Sequence, residues 1–300
     1  MKHFKCTFCR SQKKTILKLL FNAKYRHNQN KKNNIKNKKK TMSFSVTFEK
    51  ASDFKKIIDG IKDLSNEFNI DISPQKMHID FMDSSVVCMC DINLSSSFFK
   101  HFECKKNSQI GINPKQMCTL MKCMPDKDEM SISYEENSDK LQLSSSKNGS
   151  KIFIKMNMLN IQTDTFSVPE YEIDSEFEMC SKHFKKMATD LSSLESDIID
   201  ISVKKDEIQF FVNGSLGSAT ITKKSQEDMT IKHKNDVSIK FAMKYIVQFS
   251  KLFVLSDKVN IKMTRDNPLI IQYKLGEGSD MNFYLAPSID DMDEDDDLME

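Results

Sequence analysis

Residues 54–64 read Phe54-Lys55-Lys56-Ile57-Ile58-Asp59-Gly60-Ile61-Lys62-Asp63-Leu64. The apolar positions 54, 57, 58, 61 and 64 share one face of an α-helix, because three to four residues complete each turn. The opening of this segment returns as Phe184-Lys185-Lys186-Met187, at a period of 129–130 residues. Asp71-Ile72-Ser73 likewise recurs as Asp200-Ile201-Ser202, and Ile79-Asp80-Phe81 as Ile208-Gln209-Phe210. Lys122 falls opposite Lys251, and Ile132 opposite Ile261. A period this long is not that of a solenoid. It predicts two similar domains in one chain. The expected organisation is a basic leader (1–41), a first domain (42–157), a polar connecting loop (158–172), a second domain (173–289) and an acidic tail (290–300).

Each half carries the same coarse pattern. Helical spacing covers 51–68, through Phe54 to Phe68, and 181–194, through Phe184 to Leu194. Shorter helices are expected at 114–124, where Pro114 suits a first helical turn, and at 241–252. Alternation predicts strands at 43–48, 77–81, 86–94, 130–134, 140–144, 151–156, 198–203, 207–212, 219–222, 259–263, 269–275 and 281–285. Many short strands with a few helices make an α+β fold.

Charge is distributed unevenly. Residues 1–41 hold 14 Lys/Arg and no acid, so the remaining 31 basic residues face all 43 acidic ones in 42–300, a net charge of −12. The Lys/Asn run 28–40 cannot bury a core and is expected to be disordered, with organised sequence beginning at Met42. A targeting peptide and a non-specific DNA-binding arm are the other readings of this leader. Its lone Cys6-x-x-Cys9, with His3 and His27 nearby, is a weak zinc signal, and no metal site is expected. The tail 290–300 is a solvated acidic segment that DNA would repel.

Several function classes drop out. None of the seven glycines falls in a GxGxxG or GxxxxGK[ST] pattern, so a phosphate cradle for a nucleotide cofactor is not expected. No apolar run approaches the roughly 18 residues that would suggest a membrane span. The eight cysteines follow no disulfide or zinc framework, which points to reduced thiols in an intracellular protein. Around His183 and Cys180 there is no nucleophile–base spacing, so an enzyme is not expected, and no cofactor.

The helices carry a more specific signal. Lys55 and Lys62 lie opposite the apolar stripe of their helix, and so do Lys182 and Lys185, Lys115 and Lys122, and Lys244 and Lys251 in theirs. Surface helices often carry lysine. Recurrence in all four, within an acidic body, favours a basic functional surface. Lysine is a point charge that suits phosphates, and phosphate contacts carry no sequence information. The partner implied is nucleic-acid backbone held without base reading.

Five further segments are distinctive: Phe81-Met82-Asp83-Ser84-Ser85-Val86, Ile61-Lys62-Asp63-Leu64, Asn213-Gly214-Ser215-Leu216-Gly217, Pro268-Leu269-Ile270-Ile271-Gln272-Tyr273-Lys274 and Tyr284-Leu285-Ala286-Pro287. In this order and spacing they resemble the proliferating cell nuclear antigen (PCNA) family of eukaryotic sliding clamps, over essentially all of 43–290.

The resemblance implies a DNA-clamp fold with two similar βαβ-rich domains per chain. It also implies a homotrimeric ring, with helices lining its hole and sheets outside. The function implied is a DNA polymerase processivity factor and docking platform in the nucleus. The nearest alternative is a subunit of a heterotrimeric checkpoint clamp. Carried over by position, the residues facing double-stranded DNA are Lys55, Lys56, Lys62, Lys122, Lys185, Lys186, Lys244 and Lys251, with Lys182 as a shifted addition. Thr119, Thr189 and Ser193 stand where relatives commonly carry basic or His residues. A client-peptide pocket would comprise Met82, Val87, Phe166, Val168, Pro268, Tyr284, Ala286 and Pro287. The connecting loop and the Ala-Pro before the tail are expected to be exposed. Clients would be the replicative DNA polymerase, clamp loader, flap nuclease and DNA ligase, with no membrane partner. Subunits would join by pairing the strand near 140–146 with that near 218–223 of the next chain. Lys205 lies near the family's ubiquitin site.

Overall fold

The structure, a computed structural model, describes residues 42–147, 149–162, 172–225, 229–265 and 267–288. The leader, the tail, Phe166 and Val168 lie outside these residues. The chain divides into two compact units. The described residues of the first run to 162 and include Lys274–Asn282; those of the second run from 172 to Tyr273 and include 283–288.

In chain order the first unit holds β1 (Met42–Phe48), α1 (Ala51–Ile61), β2 (Phe68–Ile72), β3 (Lys76–Met82), β4 (Cys88–Ser95) and a 3-10 turn (Ser96–Phe98). It continues with β5 (His101–Cys104), β6 (Ser108–Ile112), α2 (Pro114–Met121), β7 (Met130–Glu135), β8 (Lys140–Lys147) and β9 (Ser150–Asn157). The second unit follows with β10 (Ser175–Cys180), α3 (Ser181–Ser192), β11 (Ile198–Lys204), β12 (Glu207–Gly214), β13 (Gly217–Lys224), β14 (Met229–His233) and β15 (Val237–Ala242). Then come α4 (Met243–Ser250), a 3-10 turn (Lys251–Val254), β16 (Lys258–Met263), β17 (Leu269–Gly276) and β18 (Ser279–Leu285), the last two contributing Lys274–Gly276 and Ser279–Asn282 to the first unit.

The duplication read from sequence is present in the topology. The strand order β5-β1-β7-β8-β9 recurs as β14-β10-β16-β17-β18, and β4-β3-β2-β6 recurs as β13-β12-β11-β15. Position by position, these are the same arrangement. Strand, helix and strand succeed one another along the chain, and the strands pair antiparallel. Two helices pack together in each unit, α1 with α2 and α3 with α4.

Both long helices begin in the same way. The amide of Ala51 donates to the Asp128 carbonyl at 2.7 Å, and that of Ser181 to the Asp257 carbonyl at 2.8 Å. A helix start has amides without intrahelical partners, and here the loop after the second helix supplies one acceptor. α2 instead carries a side-chain cap: Asn113 Oδ1 accepts from the Gln116 amide at 2.9 Å, with Pro114 just inside. The buried faces are those the periodicity picks out: Phe54, Ile57, Ile58 and Ile61 on α1, and Phe184, Met187, Ala188 and Leu191 on α3.

Boundaries differ in places. The helix expected over 51–68 ends at Ile61, and Phe68 opens β2, where its ring stacks on Phe81 at 4.8 Å. A buried strand residue there mimics one more helical turn. Likewise α2 stops at Met121, and Phe241 belongs to β15 rather than to the fourth helix. The strand expected from residue 86 starts at Cys88, because buried Asp83 organises a turn before it. Its carboxylate accepts from the amides of Ser85 (3.0 Å), Val87 (2.7 Å) and Cys88 (2.7 Å), and Val86 is driven to φ 56°. The Asp-Ser-Ser-Val motif is therefore a side-chain-clamped turn.

The strand near 140–146 is not available for pairing with another chain. β8 is interior, bonded to β7 on one side and β9 on the other. The edge of that sheet on this side is β9, and β13 is an edge of the four-stranded sheet β13-β12-β11-β15 of the second unit.

Candidate nucleic-acid interface

On the first unit, the outward faces of α1 and α2 form a groove of about 620 Å³. It is lined by Lys55, Lys56, Lys62, Lys115 and Lys122 together with Asp59, Asp63, Asp126, Cys118 and Thr119. The structure thus brings four of the sequence-predicted lysines into one place. It adds Lys115, which the helix-face argument picked out but the family carry-over did not.

The acids in the groove were not anticipated. Lys55 Nζ binds Asp126 Oδ1 at 2.6 Å, and Lys62 is paired with Asp59 on the same helix. Lys115 lies 4.0 Å from Asp63. The hydrogen bond and charge of Lys55 hold the Asp126 carboxyl below its usual range. The hydrogen bond that Lys62 donates to Asp59 raises the pKa of its ammonium, while partial burial works the other way. Burial, helped by the charge of Asp59, pushes the Cys118 thiol up, so it stays protonated and is no nucleophile near neutrality.

On the second unit, Lys182, Lys186, Lys244 and Lys251 are exposed and Lys185 is half-buried. Lys186 pairs with Asp190 one turn on, at 2.6 Å. Lys251 Nζ donates to Gln248 Oε1 at 2.8 Å, and Lys244 Nζ sits 4.9 Å from the Tyr245 ring centroid. The hydroxyls of Thr119 and Thr189 donate to the carbonyls one turn back, Lys115 at 2.9 Å and Lys185 at 2.8 Å. These two positions add no charge to the surface. What the two helix pairs offer chemically is a set of mobile ammonium groups on apolar-backed helices, suited to anions.

The positions expected to hold client peptides are placed unevenly. Met82 and Val87 are half-buried on the first unit. On the second, Pro268 is buried, Tyr284 and Ala286 are each 9% exposed, and Pro287 is half-buried. The Ala-Pro segment is therefore less exposed than its place before the tail suggests. The Ser288 amide donates to the Lys240 carbonyl at 2.7 Å and holds the chain against the body just after it. Lys205 is exposed in the turn between β11 and β12.

The comparisons agree with this architecture. Residues 43–166 match the model of the proliferating cell nuclear antigen N-terminal domain, and residues 167–288 that of its C-terminal domain. The crystal structure of the proliferating cell nuclear antigen from Entamoeba histolytica superposes with a TM-score of 0.79 at 26% identity, covering 83% of this chain and all of that one. Two domain matches placed end to end account for the duplicated topology and for lysines on both helix pairs, and the chain belongs to the proliferating cell nuclear antigen family of sliding clamps.

Proposed function

We propose that three copies of this chain close into a ring around duplex DNA, which tethers a replicative polymerase to its template. The observation that carries this reading is the repeated pair of lysine-bearing helices, one pair on each of two topologically identical units. Lysine point charges attract phosphates without reading bases, so a ring held this way can move along DNA. The acidic partners temper the grip. Exposed ion pairs are worth about 0–1 kcal/mol, so a phosphate can displace Asp190 from Lys186 at little cost, while half-buried Lys55 and Lys62 hold Asp126 and Asp59 more firmly. Lys186 then exchanges between its own carboxylate and passing phosphates, and no single register on the DNA is favoured.

In this reading the protein catalyses nothing and works in the nucleus. Met82, Val87, Phe166, Val168, Pro268, Tyr284, Ala286 and Pro287 dock short peptides of the polymerase, clamp loader, flap nuclease and DNA ligase. Lys205 is a modification position. The test is topological: the full chain is loaded onto primed circular DNA by a clamp loader with ATP and passed over a sizing column in high salt. Retention on circles, with release when the DNA is cut once, is the expected result. Retention that is indifferent to cutting would show ordinary electrostatic binding and overturn the ring.

A further inference from the structure

The outer face of β2, β3 and β4 gathers side chains that the DNA-facing role does not use. Asp71 of β2 lies directly opposite His78 of β3, and Asp80 follows two residues later on the same face. One donor atom from each of Asp71, His78 and Asp80 lies within 4.8 Å of the others, the one such group found among the described residues. All three side chains are half-buried.

Groups outside this trio hold it in position. Asp91 of β4 binds His78 Nε2 through Oδ1 at 2.7 Å, which leaves Nδ1 as the other ring nitrogen. Gln109 of β6 donates to Asp71 Oδ1 at 2.9 Å. Charge on this face is unbalanced. Asp71, Asp80, Asp91 and Asp280 gather on these strands, and the Lys76 ammonium donates to Asn93 Oδ1 at 2.5 Å.

We propose that Asp71, His78 and Asp80 form a binding site for a divalent transition-metal ion, Zn²⁺ in the first instance, that bridges β2 to β3. The donor set argues for this class: imidazole suits zinc and its neighbours, whereas calcium and magnesium favour oxygen alone. A carboxylate on the far nitrogen of a ligating histidine is the usual means of fixing its tautomer and ring orientation, and Asp91 is placed to do that. Tetrahedral zinc with bonds of about 2.0–2.2 Å puts its donors roughly 3.5 Å apart, so closure asks the carboxylates to swing inward by about an ångström, within reach of side-chain rotation. Water completes the coordination on the solvent side. A cation here neutralises the acidic face and staples two strands beside Asn69, whose amide donates to the Ile161 carbonyl at 3.3 Å. Occupancy therefore stiffens the strands that carry the start of the connecting segment.

The full chain bearing Cys6→Ser and Cys9→Ser, which removes the thiolate ligands of the leader, is titrated with Zn²⁺ in competition with a chromogenic chelator. One equivalent per chain is expected, with a rise in melting temperature on zinc addition. His78→Gln and Asp80→Asn should each weaken binding tenfold or more, and Asp91→Asn on the order of tenfold through lost orientation. Circular dichroism of each variant checks that the fold is kept. Zinc affinity unchanged in both His78→Gln and Asp80→Asn, or no equivalent taken up by the chain bearing Cys6→Ser and Cys9→Ser, would overturn the site.

Discussion

Asp174 ties three segments of the second unit together. Its carboxylate accepts from the Asn235 side chain at 2.6 Å and from the Arg265 amide at 3.0 Å, and its own carbonyl accepts from the amide of Lys234 at 2.8 Å. The hydrogen bond from Asn235, then that from the Arg265 amide, lowers its pKa from the ordinary 3.8. A carboxylate whose folded pKa is depressed adds stability that is fully present above its unfolded value and is lost as pH falls through the folded one. Asp174→Asn should therefore lower the urea midpoint at neutral pH by an amount equivalent to about 1 kcal/mol, the worth of such a bond near the surface. Below pH 3.8 the difference should shrink, because the wild-type carboxyl protonates too. A gap that stays constant from neutral pH down to strong acid would mean that Asp174 acts through packing instead. The lysine groove teaches a related lesson about single residues. Lys55 was legible from helical spacing alone, but its partner Asp126 sits in a loop 71 positions away and follows no periodicity. Sequence placed the cations and missed the anions that moderate them.

Helix faces were legible for a physical reason: a buried stripe on a helix needs several apolar residues at fixed spacing, so the pattern repeats enough to be seen. Strands at the ends of sheets give less to read. β5, β6, β14 and β15 each close one side of a sheet within their unit and were all missed. β5 alternates only exposed and half-buried residues, and β14 has one fully buried position, Met229. β6 is set by a backbone contact instead of a pattern. The Leu159 amide donates to the Gly111 carbonyl at 2.8 Å, and a Cβ on Gly111 would come within 2.3 Å of the Leu159 carbonyl oxygen. Since that atom is backbone, no rotamer change relieves the clash. Gly111→Val should cost more than about 2 kcal/mol, in the range of substitutions that force a packed element aside. Hydrogen exchange should show lost protection at Leu159 together with β6. If the variant melts like the wild type, the bridge is not needed for the fold.

At the scale of the whole molecule, the sheet edges β9 and β13 are where copies meet in the proposed ring. β9 leaves one row of main-chain donors and acceptors open, and β13 another, and unpaired edges of this kind are managed by pairing or covering them. Each edge has one large exposed apolar side chain on it or beside it. Phe153 on β9 is 58% exposed, and Leu216, in the turn leading into β13, is 68% exposed. Because β9 and β13 are different surfaces, pairing one with the other is head-to-tail, and such a contact ends in a ring only if its rotation closes. In the ring proposed above that number is three. Light scattering on the full chain should accordingly give three times the 34.7 kDa chain mass. Phe153→Asp places a charge on the β9 edge without touching the core, since this side chain is mostly in solvent already. It should shift the population toward single chains while circular dichroism stays unchanged. A wild-type chain that runs at 34.7 kDa at micromolar concentration would sink the homotrimer. The same two edges would then have to be met by different partners, which is the arrangement of a heteromeric checkpoint clamp. The mass of the unmodified chain therefore separates two assemblies that share one fold and one set of lysines.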